Sequence, residues 1–257
     1  MPDQKVRLTE RKWFYPVVFF LFFLVSVLPP YAEKGFEPQN TQDVIINLLM
    51  VATAPYQAWA PIFHIGTLLL IIFIAAYPEK PGRVLSVYMG GNYLIIAFAQ
   101  SLGVTEKYGF VVHTAGLVAF FILGLTWLWA AFKGGMEPSF RKLRWFHYLL
   151  MPLALLAFWS PYAIKGTAIV PDFDPLLLLT SPDYGLTFCL TTPVFLYLLI
   201  VFYPKVNRFA YRITAFNGLL YGLFNLTHWF SPDTRWMGVL HVPLLGLSIF
   251  ALIQSRK

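Results

Sequence analysis

DVIINLLMVATA, residues 43–54, decides how often this chain crosses a membrane. The run is apolar enough to enter hydrocarbon, yet between Asn40 and Pro55 it offers about 14 residues where a crossing needs roughly 20. Asn40 or Thr41 is placed to cap a helix, Asp43 suits the positive end of its first turn, and Pro55 would break it. The stretch therefore reads as an outer-surface or partly re-entrant helix over 41–55. A crossing here would also invert every later loop.

That inversion would destroy a charge pattern. Of 257 residues, 58% are hydrophobic and only 12% charged, which marks an all-α, polytopic membrane protein forming one transmembrane domain. Hydropathy predicts eight transmembrane helices, over about 13–30, 57–77, 84–103, 108–132, 144–164, 184–203, 208–230 and 236–254, each near the roughly 20 residues that span hydrocarbon. With the N-terminus cytoplasmic, segments 1–12, 78–83, 133–144, 204–212 and 255–257 lie inside. Only Lys34, Lys107, Lys165 and Arg235 of the 19 Lys and Arg are then outside, as the positive-inside rule requires. Both termini are predicted cytoplasmic, in a plasma membrane or a bacterial or archaeal inner membrane. The first apolar run has no clean cleavage site and reads as a retained anchor. Arg141, Lys142 and Arg144 beside Trp145 suit anionic lipid headgroups, so the net charge of +7 calls for no nucleic acid.

Several chemistries are excluded. All 12 Asp and Glu fall in loops or at span edges, so no acidic relay crosses the midplane and a helix-borne di-iron carboxylate site is ruled out. HExxH, GxSxG, Walker and GxGxxG patterns are absent, and Gly90-Gly91 before Asn92 is too little for nucleotide binding. Cys189, the single cysteine, permits neither an intrachain disulfide nor a thiolate cluster. No residue is identified as catalytic.

Histidine, amide and aromatic ring remain. His64, His113, His228 and His241, from the second, fourth, seventh and eighth spans, fall within one to two turns of the outer boundary; His147 lies near the inner one. Neutral imidazoles suit zinc, copper or iron, and haem iron also accepts histidine, so the four are candidate metal or haem ligands if their faces converge. Without convergence they are interfacial packing residues with no cofactor. Asn92 and Gln100 on the third span, with Asn217 and Asn225 on the seventh, are candidate contacts for a neutral or apolar small molecule, or ordinary interhelix bonds. Gly218 with Gly222, and Gly109 with Gly116, mark faces for close helix contact.

Three functional readings follow. The first is a redox, metal or haem protein with its site in the outer leaflet. The second is a transporter or binding subunit for a neutral or apolar molecule. The third is a structural or assembly subunit packed against a partner subunit in the membrane.

Overall fold

The computed structural model describes residues 9, 11–77, 81–140, 143–165 and 168–256. Lys5, Arg7, Lys80, Arg141, Lys142 and Lys257 of the inner basic set, and Asp3, Glu10 and Glu79, lie outside the described residues. The chain is mostly helical, as its composition requires. In order come α1 (Phe14–Ser26), β1 (Tyr31–Ala32), α2 (Thr41–Val51), α3 (Ala60–Ala76), α4 (Pro81–Ala99), β2 (Leu102–Thr105), β3 (Gly109–Val112) and α5 (Thr114–Lys133). Then follow α6 (Trp145–Trp159), β4 (Tyr162–Lys165), β5 (Ala168–Pro171), α7 (Leu177–Thr180), α8 (Phe188–Phe202), α9 (Arg208–Phe224) and α10 (Arg235–Gln254).

Among the described residues, three helical stretches are long and apolar enough to cross a membrane: Pro38–Ala76, Thr114–Lys133 and Pro232–Gln254. The helices α1, α6 and α8 are apolar but shorter, at 13, 15 and 15 residues. They are shorter than the hydropathic runs because local backbone chemistry ends them. In α6, Ser160 takes a left-handed conformation at φ 45° and Pro161 follows, so the helix cannot continue to 164.

The centre of the bundle is α8, where every residue except Tyr197 is buried. A helix apolar on all sides belongs in the middle of an assembly, and α4, α6, α9 and α10 surround this one. Glycine lets neighbours approach. A Cβ on Gly90 would stand 2.9 Å from Leu128, and one on Gly124 2.8 Å from Leu94, so α4 and α5 meet almost backbone to backbone. Gly218 and Gly222 do the same for α9 against Ser248 and Leu245 of α10. The expected Gly109–Gly116 face does not exist, because Gly109 opens β3 with φ +66° and belongs to no helix.

A small sheet, unforeseen in the sequence, explains the opening stretch. β1, β3 and β2 form an antiparallel sheet in that order, with Tyr31 opposite Val112 and Leu102 opposite Val112 on the other side. Val44 and Leu48 of α2, with Ala52 just past its end, are buried against Ala32 and Val111 of this sheet and Tyr108 of its β2–β3 turn. Asp43 accepts bonds from Lys107 Nζ at 2.6 Å and from the Tyr108 hydroxyl. One stripe of α2 is thus spent on the sheet, while Ile46, Leu49, Met50 and Val51 on its other side stay exposed.

Bonds that tie connecting segments and helix ends together include two groups. One joins 31–33 to 110–112, Lys34 to Glu106, Thr53 to Asp183, and Trp236 to Pro161. The other joins Glu137 to Lys205, Arg212 to Ser255, and Gln254 to Ile200.

Candidate functional site: two polar centres of the bundle

The segment Ser181–Phe188 is bonded from five directions. His64, fully buried on α3, sits between the rings of Phe158 and Tyr184 at 4.7 and 4.6 Å, and its Nε2 lies 3.1 Å from Ser181 Oγ. The Asp183 carboxylate accepts from Thr53 Oγ1 at 3.0 Å and from the Tyr162 hydroxyl. Asn92 donates to the Gly185 carbonyl at 2.9 Å, and Gln100 Oε1 accepts from the Phe188 amide at 2.8 Å. Thr67 bonds the Tyr184 hydroxyl at 2.9 Å. Gly185 is required at its position: φ is +82°, and an added Cβ would fall inside the Phe63 side chain.

Burial pushes the Asp183 carboxyl above the usual carboxylate range, opposed by hydrogen bonds from Tyr162, Thr53 and Gln57. Sequence reasoning placed Asp183 correctly at a loop edge but missed that this loop folds inward. Its only local signal is the turn-forming Ser181-Pro182-Asp183-Tyr184-Gly185, which predicts a reversal and says nothing of burial.

The four outer-layer histidines do not meet at one point. Among the described residues no three His, Cys, Asp or Glu side chains gather as metal ligands. His64 belongs to the Ser181 centre. His113 follows β3 and precedes α5, with its ring edge-on to Tyr221 at 6.5 Å and its buried Nδ1 unpaired. Equal depth along the sequence did not become proximity for all four, because His64 and His241 sit on separate helices, His113 lies between β3 and α5, and His228 lies in the turn after α9.

Two of them do come together. Phe224 ends α9, and Asn225–Phe230 continues as a tight 3₁₀ turn instead of the expected span to 230. Asn225 contributes to that ending by donating to the Tyr221 carbonyl one turn back at 2.7 Å, with a longer contact to Cys189 Sγ at 3.4 Å. The turn carries His228 over α10, where its ring faces that of His241 with centroids 5.5 Å apart and planes 20° apart. His241 is 8% exposed, and its Nδ1 lies 2.7 Å from the Met237 carbonyl. A carbonyl only accepts, so Nδ1 carries the hydrogen and the neutral ring presents a bare Nε2 lone pair. His228 makes no side-chain hydrogen bond among the described residues, leaving its ring free to pair with a ligand.

Asn217 donates back to the Ile213 carbonyl at 2.9 Å, as Asn225 does to Tyr221, so the amides of α9 serve their own helix. Asn92 and Asn217 each keep a buried Oδ1 without a partner. Comparison with protein-family models, with curated proteins and with solved structures returned no match.

Proposed function

We propose that the chain is a membrane protein of eight crossings, both termini inside, that holds a transition-metal ion at its outer end through His228 and His241. Three long apolar helices are compatible with a membrane location. The eight-crossing count draws support from the charge pattern. The positive-inside rule assigns each connecting segment a side from its charge. The inter-segment bonds are compatible with that assignment, joining segments it puts on the same side: 31–34 to 106–112, Thr53 to Asp183, and Trp236 to Pro161 on one side, Glu137 to Lys205 and Arg212 to Ser255 on the other. On this reading α2 lies on the outer sheet, and Lys133 and Arg144 face anionic lipid inside.

The observation that carries the metal reading is the geometry of the histidine pair. The two imidazoles are neighbours, with ring centroids 5.5 Å apart and planes 20° apart; since imidazole binds a metal in the plane of its ring, at about 2.0–2.1 Å, one ring must turn out of the stack for both to reach a shared ion. The bond from Nδ1 to the Met237 carbonyl is the second-shell contact that metal-bound histidines use to fix tautomer and ring orientation. Zinc, copper and iron all accept such nitrogens. A haem between these rings is disfavoured, since they are immediate neighbours with no room for a macrocycle between them. Two protein ligands leave coordination positions open, which suits an exchangeable or reactive ion more than a structural one.

Binding of a neutral molecule is the second reading, and its support is the unpaired Oδ1 atoms of Asn92 and Asn217. Gln100 and Asn225 are bonded to the protein itself.

Calorimetric titration of the tag-free, detergent-purified protein with Zn²⁺ tests the metal reading. One site per chain is expected, lost in the His228→Ala, His241→Ala double variant. Heat unchanged by those substitutions, or no heat at all, contradicts it.

A further inference from the structure

We infer that the groove between α5 and Phe209 of α9 seats an acyl chain of one anionic phospholipid from the inner leaflet, with Lys133 and Arg208 drawing its phosphate. The inference is independent of the histidine pair and rests on the reading that α5 crosses the membrane with Lys133 inside.

A groove of about 300 Å³ is lined by Ile122, Leu125, Thr126, Trp129 and Phe209. The first four recur at the spacing that gathers side chains on one face of a helix. Phe209 stands beside them, its ring edge-on to Trp129 with centroids 6.2 Å apart. The Thr126 hydroxyl is already bonded to the Ile122 carbonyl at 2.8 Å. These walls offer a hydrated solute little in return for its lost water, so the occupant is apolar along the groove.

Depth identifies the leaflet. α5 has 20 residues, Thr114–Lys133, which places Ile122 near its midpoint and Lys133 at its inner end. From Ile122 to Lys133 is roughly 16 Å at about 1.5 Å per residue, close to the roughly 15 Å that is half the hydrocarbon thickness. The groove therefore runs from near the midplane toward the inner headgroups, which is the depth of an acyl chain in that leaflet.

Charge identifies the headgroup. Lys133 Nζ lies 5.7 Å from the Trp129 ring centroid, at the end of the groove where an indole marks the headgroup level. Arg208 adjoins Phe209, and Arg11 and Lys12 precede Phe14, whose ring centroid is 5.8 Å from that of Phe209. All four cations are exposed, and none has a carboxylate partner among the described residues. Glu137, the one described carboxylate assigned to the inner side, is taken by Lys205. Unbalanced cations at the mouth of an apolar groove fit an anion with an apolar tail, and anionic phospholipid is the membrane's own supply of such molecules.

Native mass spectrometry of the full-length protein in detergent counts the bound lipid. The probes are palmitoyl-oleoyl phosphatidylglycerol and, with the same chains on a zwitterionic headgroup, palmitoyl-oleoyl phosphatidylcholine. One phosphatidylglycerol per chain is expected, held about tenfold more tightly than phosphatidylcholine. The Lys133→Gln, Arg208→Gln double variant should lose that preference, whereas Arg144→Gln, which removes the inner cation before α6, should keep it. Thr126→Trp should fill the groove and reduce retention of both lipids. Equal retention of the two lipids by the unmodified protein, or a preference that survives the double variant, overturns the inference and leaves the crossing reading intact. A lipid-free dimer mass overturns it too, since a second copy would then cover the groove. Release of the protein from membranes by alkaline carbonate overturns the crossing reading, and the inference with it.

Discussion

The Ser181–Phe188 centre and the His228–His241 pair are built from similar residues in the same apolar bundle, yet they end in opposite states. Around Asp183 most polar groups have a protein partner, His64 Nδ1 and Asn92 Oδ1 being the exceptions: Thr53 and Tyr162 reach the carboxylate, the Asn92 amide and Gln100 reach the backbone, and His64 Nε2 reaches Ser181. At the histidine pair one nitrogen is committed and the others are free, beside an open groove. The first arrangement fastens loops together; the second is poised to receive something. Polar residues in an apolar protein divide by whether their bonding capacity is already used.

This contrast predicts unequal consequences of substitution. The largest effect is expected at Gly185. Gly185→Val adds a forbidden φ of +82° to a collision with Phe63, and thermal unfolding in detergent should show a loss of about 3 kcal/mol or more. An ordinary melting curve for that variant would mean that the segment is not fastened as described.

Asp183→Ala comes next. It strands the Tyr162 and Thr53 hydroxyls, at about 1–3 kcal/mol for each buried group left unbonded. The carboxyl also carries a pH signature. Its folded-state value is raised above the ordinary 3.8, so the folded protein holds the proton more tightly than the unfolded chain. Its contribution to stability is full below about 3.8 and is lost as the pH rises through the raised folded value. Melting temperatures measured across that window should fall with rising pH more steeply in the natural protein than in Asp183→Asn. Equal slopes would show that Asp183 does not titrate there.

The helix positions were largely legible in the sequence, because a long apolar run reports itself wherever it packs. Residues 43–54 hold most of α2, which packs through Val44 and Leu48 onto a sheet. The sheet itself was not legible. β1 has two residues, and its partner β3 lies some 80 positions later, so the pairing leaves no local pattern. The histidines show a related limit. Hydropathy gives depth along a helix normal but not the direction in which a side chain leaves it. His228 and His241 were singled out with His64 and His113, yet only the first two share a place. The ending of α9 at Phe224, which swings His228 over α10, depends on Asn225 bonding its own helix and was hidden inside an unbroken apolar run.

Smaller effects sharpen the same division. Gly218→Ala should cost about 1–3 kcal/mol by overpacking Ser248, and Ser248→Ala in the same chain should recover part of it, since the two sites are in contact. Lys107→Ala removes an exposed ion pair with Asp43 and should leave the melting curve nearly unchanged, with any difference smaller still in high salt. A large loss would mean that the three-stranded sheet and α2 are held by charge more than by burial of Leu48 and Val111.

The most direct test of the histidine pair counts its nitrogens. Cu²⁺ added at one equivalent to the tag-free protein, followed by pulsed electron paramagnetic resonance, should show two coordinated imidazoles, one in either His228→Ala or His241→Ala and none in the double variant, with the melting curve of the metal-free protein nearly unchanged throughout. An imidazole signal that persists in the double variant, or its absence from the natural protein, would contradict the assignment of these two residues as a metal site.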